Sequence, residues 1–183
     1  TYSYDSAGNR TKKVKGEEET AYTYNGLNQL LKAKTTKGDT VKNDISYEYD
    51  VNGNQIKETD KETGDSVENT YDVENRLSTV TVTKKSGTSG NETVSLTQEN
   101  LYNGEGQRIQ KKEAGEVTNY FYEDGMVSYT TGADTGEKRI QNLSGLEDNV
   151  IYAEQKVTGK DGTASAYQDF LYTKDIQGST SSI

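Results

Sequence analysis

A short phrase opening on tyrosine returns again and again along this chain, and no other feature restricts its fold as much. Tyr4-Asp5-Ser6-Ala7-Gly8-Asn9-Arg10 recurs as Tyr24-Asn25-Gly26-Leu27-Asn28-Gln29-Leu30 and as Tyr49-Asp50-Val51-Asn52-Gly53-Asn54-Gln55. It returns as Tyr71-Asp72-Val73-Glu74-Asn75-Arg76-Leu77 and as Tyr102-Asn103-Gly104-Glu105-Gly106-Gln107-Arg108. Tyr122-Glu123-Asp124-Gly125 reads as a shortened sixth copy. The steps between these tyrosines are 20, 25, 22, 31 and 20 residues. Repeats of this length build arrays in which each unit leans on its neighbour. Steps this uneven suit hairpins with loops of variable length better than a strict solenoid.

Each copy holds the parts of a turn. Tyr ends a strand, and the Asp or Asn after it can hydrogen-bond the backbone two residues on. A Gly or Asn follows, and both tolerate positive φ. Asn25-Gly26, Asn52-Gly53 and Asn103-Gly104 are also strong two-residue hairpin signals. Copies one, three and five place Gly (Gly8, Gly53, Gly106) four residues after Tyr, whereas copies two and four place Asn28 and Asn75 there. This alternation predicts neighbouring turns that differ by one loop residue. A second set of turn signals lies between the copies, at Lys15-Gly16-Glu17, Lys37-Gly38-Asp39, Thr63-Gly64-Asp65, Ser86 to Asn91 and Ala114-Gly115-Glu116. Two turns per repeat at opposite ends predict an antiparallel up-and-down meander. Strands of about eight or nine residues would run ~25–30 Å.

Tyr2/Tyr4, Tyr22/Tyr24, Tyr47/Tyr49, Tyr120/Tyr122 and Phe170/Tyr172 are spaced by two, which is strand periodicity. No segment reads as a convincing helix; the best is the turn around Ser144-Gly145-Leu146-Glu147-Asp148. Composition argues the other way at first. Leu, Ile, Val and Phe number 30 of 183 residues, below the ~20% at which disorder becomes a serious prior. Mean hydropathy is −1.01. Yet the chain has 14 Tyr, and disordered chains are poor in aromatics. The tyrosines and the repeated turns decide for an ordered all-β chain.

Composition also removes whole classes of chemistry. The chain has no Cys and no His. Disulfides, thiolate sites and His-based triads are therefore absent. A net charge of −9 argues against nucleic acid and anionic membranes as partners. No apolar run approaches a membrane span. The acidic clusters Glu17-Glu18-Glu19, Asp60 to Asp65 and Glu147-Asp148 sit at turn signals and read as solvated rather than as a glycosidase pair. The Asp50 loop has Gln55 and Lys61 where an EF-hand needs Gly and Glu. No metal or cofactor is expected. The tyrosines read as cross-strand packing before they read as a sugar platform. Arg10, Arg76 and Arg108, which follow the turns, read as partners for adjacent-strand carboxylates or for Tyr faces.

The Tyr-Asp-x-x-Gly-Asn-Arg phrase in five and a half copies resembles the YD repeat of the RHS (rearrangement hot spot) proteins. The segment from Leu101 to Ile183 resembles the last part of an RHS core of Gram-positive-type polymorphic toxins. Arg139 to Leu146 is similar to a Tyr-Leu-x-Gly-x-Gly-Leu element, from which Gln141-Asn142 departs. Phe170 to Ser179 is similar to a closing Tyr-x-x-Asp-x-x-Gly-Ser element, with Tyr172, Asp175 and Gly178 in its named positions. The resemblance implies a long antiparallel sheet spiralling into a hollow cocoon around a toxin domain. It implies repeats over 1–128, with degenerate repeats and the closing segment over 129–183 of one continuous sheet. The expected role is that of a non-catalytic shell segment, secreted or wall-associated. Its partners would be the parent's other repeats and a downstream toxin domain. The alternative is an adhesive, glycan-binding repeat surface. The opening Thr1-Tyr2-Ser3-Tyr4 and the stop at Ile183 read as an excised piece that holds neither cleavage site nor cargo. Cut out, its strand edges would invite self-association.

Overall fold

The computed structural model describes residues 1–86, 92–133, 136–144, 150–157, 166–174 and 180–182. Gly145 to Asp148, the turn at 87–91, Asp175 and Gly178 therefore lie outside the described residues. The chain divides into two compact units, Thr1–Glu99 and Asn100–Ile183.

The first unit holds β1 (Tyr2–Tyr4), β2 (Arg10–Lys15), β3 (Glu18–Tyr24), β4 (Leu30–Lys37), β5 (Thr40–Tyr49), β6 (Gln55–Asp60), β7 (Ser66–Tyr71) and β8 (Leu77–Ser86). Strand β9 (Glu92–Tyr102) runs across the division. The second unit continues with β10 (Arg108–Glu113), β11 (Glu116–Glu123), β12 (Met126–Thr131), β13 (Lys138–Ser144), β14 (Val150–Val157) and β15 (Ala166–Leu171). The short strands β16 (Thr173–Lys174) and β17 (Thr180–Ser182) pair with each other. Strands β1 to β15 follow chain order within one sheet, and every described pairing is antiparallel. The expected up-and-down all-β meander is the fold. Strand lengths range more widely than expected, from 2 residues in β16 to 11 in β9.

Register sorts the side chains of the first unit onto two unlike faces. Residues directly opposite in a ladder share a face. Following the ladder from Tyr22 to Ala33 to Ile45, then from Tyr47 to Glu58, Val67, Val82 and Leu96, gives a face rich in aromatic and aliphatic groups. Ser46, Thr59, Ser66, Thr83 and Ser95 follow the same route on the opposite face. There, hydroxyls pair across strands, as Thr70 with Thr79 at 2.6 Å and Thr83 with Ser95 at 3.3 Å. These pairs suit a wet surface, since each hydroxyl is both donor and acceptor.

Among the described residues neither unit builds a packed interior of the usual kind. Among the described residues Ala153 is the one buried apolar side chain. With so few aliphatics, the apolar face is half covered by its own tyrosines and long side chains. Stability must come mostly from the ladders, cross-strand pairs and turns.

The turns between repeats use glycine as their geometry demands. Gly16 (φ 60°) and Gly38 (φ 56°) open two-residue loops closed by Lys15–Glu18 and Lys37–Thr40, as a type II′ turn requires. Ala114-Gly115 and Asp124-Gly125 both have positive φ at each loop position, the type I′ form.

Candidate functional site

The repeated phrase itself forms the site with the most conspicuous order. In all five full copies the turn is the same object. Asp5 N–H donates to the Asn9 carbonyl at 2.9 Å, and Gly8 N–H donates to the Asp5 carbonyl at 3.1 Å. Asn25, Asp50, Asp72 and Asn103 repeat both bonds at 2.9–3.1 Å. This is a three-residue loop, a type I turn followed by one left-handed residue and a bulge. The left-handed position is Gly8, Asn28, Gly53, Asn75 or Gly106, with φ of 85°, 61°, 88°, 61° and 81°.

Two sequence expectations are corrected here. The alternation of Gly and Asn does not change loop length; either residue fills the same left-handed position. Nor do Asn25-Gly26, Asn52-Gly53 and Asn103-Gly104 act as two-residue hairpins. The Asn25 and Asn103 carboxamides accept backbone N–H groups and the left-handed residue comes two positions after the Gly, whereas Gly53 is itself the left-handed third residue of the Asp50 loop. Within the tyrosine phrases, the dipeptide that does form a type I′ hairpin is Asp124-Gly125, so the sixth copy keeps its tyrosine but has a different turn.

The first side chain of each phrase organises the loop. Asp5 Oδ1 accepts the N–H of Ala7 at 3.0 Å and of Asn9 at 2.8 Å. The same two bonds occur at Asn25, Asp50, Asp72 and Asn103. The remaining side-chain atom bonds the residue four positions on, and the partner type follows the first. Where the first residue is Asp, the fifth is a donor: Asn9, Asn54 or Arg76, at 3.0, 2.9 and 2.7 Å. Where it is Asn, the fifth is Gln29 or Gln107, whose Oε1 accepts from the Asn amide at 2.6 and 2.8 Å. This rule was present in the sequence as an i, i+4 pairing within each phrase. Reading the phrase only as a Gly-containing turn missed it.

The tyrosine joins one repeat to the one before. Tyr24, Tyr49, Tyr71 and Tyr122 donate their hydroxyls to the carbonyls of Arg10, Leu30, Gln55 and Arg108, at 2.9–3.1 Å. Each acceptor lies two residues before the first pair that its strand makes with the following strand, at Lys12, Lys32, Lys57 and Gln110. The ladder has run out there, and the phenol supplies a donor to a carbonyl beyond it.

Within Thr1–Glu99 the turns also touch side by side. Asn9 Nδ2 donates to Asn28 Oδ1 at 2.8 Å, and Asn52 and Asn54 both donate to Asn75 Oδ1, at 2.9 and 3.0 Å. A Cβ on Gly53 would stand 3.3 Å from Gln29 Nε2. The left-handed Asn of copies two and four thus reaches to a neighbouring turn, which Gly cannot do. Leu27, Val51 and Val73 cap these turns in full exposure.

The rim is built to hold shape. Hydrogen bonds from Asn9 hold the Asp5 carboxyl below its ordinary range, those from Asn54 do the same for Asp50, and backbone and guanidinium bonds from Arg76 for Asp72. Carboxylates held ionised by N–H donors are poor proton donors, and their lone pairs are already directed at the loop. Among the described residues no group of three metal-ligating side chains exists. Aromatic faces are in use as well. The Arg10 guanidinium lies 4.9 Å from the Tyr22 ring and 5.6 Å from Tyr2, and Arg108 lies 5.0 Å from Tyr120. Arg76 differs from the adjacent-strand expectation: it pairs with Asp72 and Glu74 of its own turn, both at 2.7 Å. Phe121 and Tyr129 stack at 4.4 Å.

Comparison with known proteins places this geometry. No protein-family model matches the chain. The tRNA nuclease WapA of Bacillus subtilis is 34% identical over 139 residues, which is 73% of this chain and 5% of that protein. The tRNA3(Ser)-specific nuclease WapA of Bacillus spizizenii matches to the same extent. That identity runs through a chain whose five turns share one hydrogen-bond plan. The chain belongs to the RHS-repeat, or YD-repeat, proteins. Solved structures show the same fold at low identity. The TcdB2-TccC3-Cdc42 crystal structure aligns with a TM-score of 0.64 at 15% identity, over 97% of this chain and 11% of that one. A Tc holotoxin pore of Photorhabdus luminescens carrying a TccC3 mutation aligns with a TM-score of 0.65 at 15% identity, over 98% and 11%. This RHS segment thus spans a twentieth of its curated relatives' length and about a ninth of each structural neighbour.

Proposed function

We propose that this RHS segment is a non-catalytic stretch of wall in a secreted or cell-wall-associated toxin, and that it encloses a toxin domain carried elsewhere on the parent chain. The observation that carries this reading is the tyrosine bond between successive repeats. It ties the turns after Tyr24, Tyr49, Tyr71 and Tyr122 to the turns before them, in a sheet that extends by addition instead of closing around its own core. The signature residues Tyr4, Asp5, Gly8 and their counterparts serve this construction. Residues 129–183, with Tyr172, Asp175 and Gly178, belong to the same wall as its less regular end. The remaining repeats and the toxin domain of the parent are its partners. The face of Tyr22, Ile45, Tyr47, Val67, Val82 and Leu96 is the one turned to the enclosed polypeptide. The hydroxyl-rich face meets water.

Limited proteolysis of the parent protein tests this. The toxin domain should resist cleavage while the repeats are folded and become susceptible with their unfolding. A toxin domain digested as fast in the intact parent as when expressed alone would refute the reading.

A further inference from the structure

Asn25-Gly26, Asn52-Gly53 and Asn103-Gly104 carry a chemistry that the wall construction does not use. An asparagine followed by glycine is able to close on itself. The glycine nitrogen attacks the side-chain carbonyl carbon, and a glycine, having no Cβ, leaves that approach open. The fold gives the three asparagines unequal freedom to react.

Asn25 and Asn103 open their loops and are half-buried. Asn25 Oδ1 accepts from the N–H groups of Leu27 and Gln29 at 2.9 and 3.0 Å, and its Nδ2 donates to Gln29 Oε1 at 2.6 Å. Asn103 repeats these three bonds at 3.0, 3.0 and 2.8 Å. Turning either carboxamide toward the next nitrogen breaks all three and takes the loop apart. Asn52 sits differently, in the middle of a loop whose N–H groups are held by the Asp50 carboxylate. It is exposed. Among the described residues its carboxamide makes one hydrogen bond, from Nδ2 to Asn75 Oδ1 at 2.9 Å. The attacking atom, the Gly53 nitrogen, donates to the Asp50 carbonyl at 3.1 Å. Two bonds therefore oppose reaction at Asn52, and neither is a bond by which its own side chain holds the loop. The other full copies place Ala7, Leu27, Glu74 and Glu105 at this position, so the reactive arrangement belongs to copy three.

We propose that Asn52 is a self-modifying site, which deamidates in the folded protein while Asn25 and Asn103 are preserved, and that its conversion unfastens the turn of copy three from that of copy four. The Gly53 nitrogen loses its proton and bonds to Asn52 Cγ. The Cγ–Nδ2 bond breaks, ammonia leaves, and a succinimide closes. Water then adds to either ring carbonyl and opens the ring, to aspartate or to isoaspartate. Both products replace the Nδ2 donor with a carboxylate oxygen facing Asn75 Oδ1, which is itself an acceptor. Aspartate otherwise fits the turn, since Glu74 and Glu105 already carry a carboxylate there. Isoaspartate does not, because it adds a methylene to the main chain of a loop closed by Asp50 N–H to the Asn54 carbonyl and Gly53 N–H to the Asp50 carbonyl. The bond from Asn54 to Asn75 at 3.0 Å is then the side-chain tie left between these two turns. The inference is independent of the shell reading.

Peptide mapping by mass spectrometry tests it, on this chain incubated folded at mildly alkaline pH and, in parallel, in concentrated urea. In the folded chain the peptide bearing Asn52 should gain the mass of an amide turned acid about tenfold faster than those bearing Asn25 and Asn103, the worth of about one further hydrogen bond. In urea the three rates should converge. An isoaspartyl methyltransferase should label the folded product at position 52. Asn52→Ala, which copies the Ala7 turn, should remove that product and its label. Amide exchange at Gly53 and Asn54 should accelerate in the purified isoaspartyl form. Equal rates at the three sites in the folded chain, or an Asn52 that reacts in urea and not when folded, overturns the site. Unchanged exchange in the isoaspartyl form overturns the unfastening.

Discussion

At Tyr49 one hydroxyl, donating to the Leu30 carbonyl at 2.9 Å, ties a repeat to its predecessor. Removing it leaves that carbonyl without the donor that stands in for the ladder. Tyr49→Phe and Tyr122→Phe should each cost about 1 kcal/mol, the usual net value of one hydrogen bond, in urea denaturation. Tyr2→Phe, at an exposed ring, should stay within about 0.5 kcal/mol. The i, i+4 pairs allow a sharper test. Asp50→Asn sets two amide donors, those at 50 and 54, against each other. Turning the Asn54 amide to accept would break its bond to Asn75. Asp50→Asn should therefore lower the melting temperature, and adding Asn54→Gln, which recreates the Asn–Gln pair of copies two and five, should recover much of the loss. No recovery would mean that the pairing rule is incidental. Acid gives a third test. The carboxyls of Asp5, Asp50 and Asp72 are held below the ordinary 3.8 by hydrogen bonds. A lowered folded value means a stabilising contribution that is complete above the unfolded value and is lost as pH falls through the folded one. Below about pH 4, amide exchange at Ala7 and Asn9, corrected for its intrinsic pH dependence, should accelerate. Leu27 and Gln29, whose acceptor is the uncharged Asn25, should change much less. Equal acceleration in both turns would contradict this.

The turn is the next scale, and its tolerance follows from φ. Gly106 has φ 81°, and a Cβ added there would meet nothing within 4 Å, so backbone preference alone decides what fits. Gly106→Asn should be nearly neutral, because Asn28 and Asn75 occupy the same position with φ 61°. Gly106→Val should cost about 1–2 kcal/mol, the left-handed penalty for a residue with a Cβ, by thermal or chemical melt. The meander was readable from the sequence because strand, turn and strand recur with their chemistry intact in every copy. The loop type was harder to read. Asn-Gly is a strong hairpin signal on its own, yet the Asn25 side chain captures two backbone N–H groups and moves the left-handed residue to Asn28. Local side-chain bonding outweighed the dipeptide preference. The tyrosine bonds were not readable at all, since their acceptors are carbonyls 14 to 19 residues away in sequence. A bulge in β13 was equally hidden: Thr130 pairs with Ile140 and Thr131 with Lys138, yet nothing in Lys138-Arg139-Ile140 marks an extra residue.

At the scale of the whole molecule, a sheet built by addition has terminal strands. Among the described residues β1 pairs with β2 alone and β15 with β14 alone, so each leaves one edge of backbone groups open. Open edges pair with other chains. The isolated chain should therefore associate with rising concentration in sedimentation velocity, and a clean monomer at all concentrations would count against open edges. The central claim is that this segment is a wall with an inside and an outside. Thr81 and Val82 are adjacent and point to opposite faces. Single Thr81→Cys and Val82→Cys substitutions in a parent protein with its other reactive thiols removed, labelled with a bulky maleimide under folded conditions, read the two faces directly. A wall predicts rapid labelling at 81 and protection at 82. Equal labelling at both would mean that both faces meet solvent and that the segment encloses nothing.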